Sequence, residues 1–115
     1  MAELKIKLQL MHGGEIAMGP GKAELLDAIA RTGSISGAAR SMGMSYRRAW
    51  LLVDAMNRCF AEPLVETHPG GGKQAGASVT ETGRRVRKAY QELVESAGRG
   101  ADGEALAKLE AALKQ

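Results

Sequence analysis

The sequence predicts a mainly helical fold with a small amount of β-structure, and three observations carry that expectation. The chain has 115 residues, 44% of them hydrophobic, which is material for one compact domain with little left for a second core. Its aromatic residues are only Tyr46, Trp50, Phe60 and Tyr90, so the core is to be built from Leu, Ile, Val, Met and Ala, which favour closely packed helices over a sandwich. Apolar positions recur at three- and four-residue spacing along most of the chain. They alternate only near the N-terminus and beside a glycine-rich segment that follows His68.

The elements follow in order. Leu4, Ile6, Leu8 and Leu10 alternate with Lys5, Lys7 and Gln9, the period-two pattern of a half-buried strand over 4–10. Gly13 and Gly14 supply a turn, and Ile16 to Met18 reads as a short returning segment. Beyond Pro20, the residues Leu25, Leu26, Ile29 and Ala30 line one face of a first helix that ends at Gly33. Ser34 and Ser36 are both placed to cap a short second helix, Gly37 to Met42, closed by Gly43. Ser45 caps a third helix running to about Phe60, where Pro63 stops it. The inner face of that helix is Ala49, Leu52, Val53, Met56 and Phe60; Tyr46, Arg47, Asp54 and Asn57 point outward, and Trp50 is weighted towards packing. Leu64 to Thr67 and Ala77 to Val79 are strand-like, and with the glycines, Lys73 and Gln74 between them they make a hairpin with a flexible tip. Thr80 caps a fourth helix reaching about Ala97, with Val86, Tyr90, Leu93 and Val94 as its apolar stripe and a basic opposite face. Residues 98–103 carry three glycines and read as a linker, and Glu104 to Lys114 reads as a fifth helix or a frayed tail. Strand, three helices, hairpin and helix, in that order, are the elements of a winged helix-turn-helix domain over residues 1–97.

The net charge of +3 is modest, but its distribution is uneven. No acidic residue occurs between Asp27 and Asp54, a stretch that holds Arg31, Arg40, Arg47 and Arg48, and a second basic run, Arg84, Arg85, Arg87 and Lys88, follows the hairpin. A helix-turn-helix needs a short first helix of small residues, here Ala38 and Ala39, a tight turn, here Gly43, and a second helix whose first turn meets base edges. Arginine suits that place because its fork bridges guanine O6 and N7, and an adjacent tyrosine reaches a phosphate or packs on a thymine methyl. Candidate contacts to double-stranded DNA are therefore Tyr46, Arg47 and Arg48, the helix-start hydroxyls of Ser34, Ser36 and Ser45, and Lys73 and Gln74 at the wing tip. The competing reading is a protein-interaction module of the same fold, favoured if Asp54 and Glu66 interrupt the positive face.

Other chemistry finds little support. Cys59 is the single cysteine, which excludes an intrachain disulfide, and it falls in an apolar helical pattern. His12 and His68 have no metal-ligating neighbours at a recognisable spacing, and no carboxylate pair or nucleophile with its base emerges, so neither enzyme, metal nor cofactor is expected. The glycine-rich segment lacks the spacing of a nucleotide phosphate loop. No run of about 18 apolar residues occurs and the N-terminus carries no secretory pattern, which leads to a cytoplasmic expectation.

Residues 33–40 (GSISGAAR) and 43–50 (GMSYRRAW) together resemble the N-terminal DNA-binding domain of ModE-type molybdate-responsive transcription regulators. The likeness extends to 4–10 (LKIKLQL), Met56-Asn57, 64–67 (LVET), 69–72 (PGGG) and 79–83 (VTETG). LysR-type regulators share the core of the pattern. The resemblance implies a winged-helix homodimer in which the helix after the wing, with Val86, Tyr90, Leu93 and Val94, and the N-terminal region meet a second copy. It also implies a departure, because these residues leave no room for the family's molybdate-binding domains, and direct molybdate binding by this chain is not expected.

Overall fold

A computed structural model describes residues 2–69 and 76–114. Its elements are β1 (Leu10–His12), β2 (Glu15–Met18), α1 (Pro20–Thr32), α2 (Ile35–Met42), α3 (Tyr46–Cys59), β3 (Val65–His68), β4 (Gly76–Val79), α4 (Glu81–Ala101) and α5 (Glu104–Ala112). The helix starts follow the capping chemistry in the sequence. Ser34 Oγ accepts from the Gly37 N–H at 2.9 Å, Ser45 Oγ from the Arg48 N–H at 3.0 Å, and Thr80 Oγ1 from the Gly83 N–H at 3.0 Å. Ser34, and not Ser36, caps α2, so that helix begins two residues earlier than its apolar pattern indicates. Gly43 ends it at φ 67°, a left-handed conformation in which a side chain would be strained.

Three helices enclose the core. Leu25, Leu26 and Ile29 of α1, Ile35, Ala38 and Ala39 of α2, and Ala49, Val53 and Met56 of α3 are all buried, and Met18, Leu64, Val65 and Ala77 close the cluster. Alanines at the contacts let the helix axes approach, as expected for a core with so few aromatic rings. The strands form two separate antiparallel hairpins, β1 with β2 and β3 with β4. The second is joined to the helices by the Ala77 N–H, which donates to the Gly33 C=O at 2.9 Å in the turn between α1 and α2.

Two expectations are corrected. The N-terminal strand is not formed over 4–10: β1 starts at Leu10, and residues 2–9 have no regular structure. Their alternation persists in burial, with Ile6 and Leu8 half-buried and Lys5 and Lys7 exposed, but among the described residues no strand pairs with them to complete a ladder. The segment is tied down instead by the Tyr90 hydroxyl, which donates to the Leu8 C=O at 2.8 Å. The second correction concerns the glycines of 98–103. Helix α4 runs through Gly98 and Gly100 to Ala101, leaving only Asp102 and Gly103 between it and α5. A glycine inside a helix costs about 1 kcal/mol relative to alanine, which the surrounding turns absorb.

Side-chain bridges fix the helices to one another. Arg87 of α4 makes a bidentate pair with Asp27 of α1, Nε to Oδ1 at 3.0 Å and Nη2 to Oδ2 at 2.9 Å, and this hydrogen bonding pushes the guanidinium pKa further up. At the far end of α3, Arg58 pairs with Glu15 of β2. The guanidinium hydrogen bond holds the Glu15 carboxyl below its usual range, while burial pushes the neighbouring Cys59 thiol up and the Lys22 ammonium down.

Candidate nucleic-acid interface

Helices α2 and α3 are the two limbs of the helix-turn-helix, and their mutual packing decides which side chains face out. Ala38 and Ala39 on one side and Ala49 and Val53 on the other are fully inside, which turns the first turn of α3 outward. Ser45, Tyr46, Arg47 and Arg48 are all exposed, Tyr46 at 55%. Among the described residues, neither Arg47 nor Arg48 is paired with a carboxylate, in contrast to Arg58, Arg85 and Arg87. Two adjacent guanidiniums without counter-ions on a helix start form an electropositive projection suited to an anionic partner.

The hydroxyls expected beside them divide. Ser36 is exposed on the first turn of α2; Ser34 is half-buried, and its oxygen is engaged by its cap, as is that of Ser45. An engaged serine oxygen still leaves its O–H free to donate, so capping and contact with a phosphate are compatible. Trp50 is half-buried against the core, and its ring meets Tyr46 edge-on at a centroid distance of 6.2 Å and 81°. It braces Tyr46 rather than projecting, as the sequence weighting had it.

The hairpin stands beside this face. Ser34, Ile35 and Ser36, Tyr46 and Trp50, and Thr67 to Pro69 with Gly76 and Ala77 line one open cavity of about 190 Å³. The start of α2, the start of α3 and the far end of the β3–β4 ladder, at His68 and Gly76, therefore share one surface. His68 lies there, its Nε2 2.9 Å from Ser78 Oγ across the strands. Lys73 and Gln74, expected at the tip, lie outside the described residues. Exposed Asp54 lies on α3 two helical turns beyond Arg47, about 10 Å along the axis, and exposed Glu66 is on β3, so both elements carry an acidic residue while the first turn of α3 carries none.

Of the stripe on α4, Tyr90 is packed within its own chain, where burial raises its phenol pKa, Val86 and Val94 are half-buried, and Leu93 is 54% exposed. Sequence reasoning missed one residue of the surface. Asn57, read as outward, is half-buried and bonds to the backbone at the hairpin's root. Eleven positions from Tyr46 and about 20° from it around the helix, Asn57 falls on the same face by periodicity, and no local pattern reveals its partners across the bend.

Three packed helices, a turn between the second and third, and a hairpin flanking the exposed start of the third define a winged helix-turn-helix domain. Residues 21–84 match the family model for bacterial regulatory helix-turn-helix proteins of the lysR family, and the chain belongs to that family. Among curated proteins it is similar to the molybdenum-pterin-binding protein MopA of Rhodobacter capsulatus, 46% identical over 69% of this chain and 30% of the relative. It is also similar to the DNA-binding transcriptional dual regulator ModE of Escherichia coli, 35% identical over 82% of this chain and 35% of the relative. The chain thus spans about a third of the length of these relatives. Among solved structures, the fold is shared with the CbnR_DBD-DNA complex at TM-score 0.53 and 21% identity, over 71% of this chain and 88% of that one. It is shared also with VV2_1132, a LysR family transcriptional regulator, at TM-score 0.51 and 15% identity, over 68% and 25%.

Proposed function

We propose that the chain is a sequence-specific DNA-binding transcription regulator that acts as a homodimer and not as an enzyme. The start of α3 enters the major groove, where Arg47 and Arg48 read base edges and Tyr46 packs on a methyl group or phosphate. Ser34, Ser36 and Ser45 donate to the backbone, and the hairpin, with Lys73 and Gln74, follows the flanking phosphates or minor groove. The observation that carries the reading is the exposed, unneutralised Arg47–Arg48 pair on the first turn of α3, whose Tyr46 shares one surface with the far end of the β3–β4 ladder. Two copies related by a two-fold axis place their α3 helices about one DNA turn apart, roughly 34–36 Å, so the operator is an inverted repeat. Among the described residues no helix is long and apolar enough to cross a membrane. The proposed place of action, following from the proposed DNA-binding role, is the cytoplasm.

The test is selection of a duplex from a random pool followed by binding measurements on single variants. Arg47→Ala and Arg48→Ala are each expected to cost about 1–3 kcal/mol and to relax preference at one position of the half-site. Unchanged affinity and unchanged preference in both variants would remove α3 from the interface and favour the protein-interaction alternative.

A further inference from the structure

A recognition helix and a wing read DNA together only if the angle between them is held. Here they are joined by residues 60–64, which have no regular secondary structure, and a two-stranded hairpin alone is marginally stable. The joint is nonetheless gripped from both sides. From the last turn of α3, Asn57 Oδ1 accepts the Leu64 N–H at 2.8 Å and the Val65 N–H at 3.3 Å, while its Nδ2 donates to the Val65 C=O at 3.1 Å. From the start of α4, the Thr80 N–H donates to the Leu64 C=O at 2.9 Å and the Thr80 hydroxyl to the Pro63 C=O at 2.7 Å. Every backbone polar group from the Pro63 carbonyl to the Val65 carbonyl therefore has a partner, most of them supplied by one amide. Gly83 lets α4 lie against this joint, since a Cβ there would collide with the Leu64 carbonyl.

Asn57 meets Val65 as a neighbouring strand would, offering an acceptor to its N–H and a donor to its C=O. Leu64 and Val65 are buried at 0% and 3% exposure, so water does not replace the amide when it is removed. We infer that Asn57 is a positioning residue for DNA recognition, fixing the wing against the recognition helix through the backbone of residues 64–65 without touching DNA itself. The inference rests on the DNA-binding reading above. Aspartate keeps the acceptor and loses the donor, and alanine loses all three bonds, so the two variants form a graded series.

The experiment compares wild type, Asn57→Asp and Asn57→Ala on the duplex that wild type selects from a random pool. Asn57→Ala is expected to bind about tenfold more weakly. It should lose hydroxyl-radical protection of the flanking sugars while keeping methylation protection of guanine N7 in the major groove, and Asn57→Asp should fall between. Amide exchange in the free protein should accelerate at Leu64, Val65 and the β3–β4 hairpin and stay unchanged in α1 and α2. Flanking protection retained in Asn57→Ala overturns the inference. So does equal loss of both protections with exchange raised throughout the domain, which would make Asn57 a general stability residue. A wild-type protein that selects no duplex overturns the DNA reading itself, and the positioning role with it.

Discussion

Glu15 and Arg58 show how much a single exposed pair can say about the fold's response to acid. The pair joins the last turn of α3 to β2, and hydrogen bonding from the guanidinium holds the Glu15 carboxyl below its ordinary value of 4.5. A depressed carboxylate pKa contributes stability above the unfolded value, and that contribution is lost as pH falls through the folded value. The melting temperature should therefore drop between pH 6 and pH 3 by more in wild type than in Glu15→Gln, with the difference developing only below about pH 4.5. Thermal melts at a series of pH values check this; parallel curves would mean that the pair is not formed in solution. Both side chains are well accessible to solvent, 60% exposed for Arg58 and 40% for Glu15, so screening keeps the effect small. At this scale the sequence was informative about caps and turns, whose chemistry is local: Ser45 and Thr80 cap the helices their positions indicate. It was uninformative about Asn57, because an amide's partners lie seven and eight residues away, across a bend that no local pattern encodes.

Among the elements, α4 carries the clearest consequence. It has 21 residues, about 31 Å of helix, and only Gly83 and Tyr90 on it are buried. On a helix that long, exposed Leu93 and half-buried Val86 and Val94 leave an apolar stripe partly uncovered, the surface that the proposed dimer would use. Leu93→Asp is an exposed substitution in the monomer and should change its stability by no more than about 0.5 kcal/mol. In a dimer it places a charge in an apolar contact, so light scattering should show dissociation at micromolar concentration, and the variant should lose the wild type's tighter binding to an inverted repeat than to a single half-site. A variant that remains dimeric would move the interface elsewhere. The N-terminal segment belongs to the same argument. Its alternation survives in the half-buried Ile6 and Leu8, yet whether such a segment becomes a strand is decided by a partner strand, and among the described residues there is none for residues 4–9.

The whole molecule is elongated, 58 by 30 by 23 Å, with a radius of gyration of 17.2 Å where a compact chain of about 100 residues has about 13 Å. The excess comes from α4 and α5, which extend away from the three-helix core. Exposed Leu109 and Leu113 lie on and just beyond α5. Under the proposed function the described elements divide between a DNA surface and a self-association surface, and none is assigned to an oxyanion. Calorimetric titration of this chain with molybdate is accordingly expected to give no saturable heat; stoichiometric binding would contradict that division.

By itself the sequence determined the fold class, the starts of α3 and α4 and the basic first turn of α3, because capping, helical periodicity and charge are carried by residues within a turn or two of one another. It also carried the family resemblance, since the turn at Gly43 and the residues around it are contiguous. The tertiary structure decided what depends on contacts between distant segments. The N-terminal residues stop short of a strand, Gly98 and Gly100 stay inside a helix, Tyr90 packs on its own chain, and Asn57 turns from the groove to the root of the wing. In each case the deciding partner is a backbone group or surface from another element, and its position is fixed only when the chain has folded.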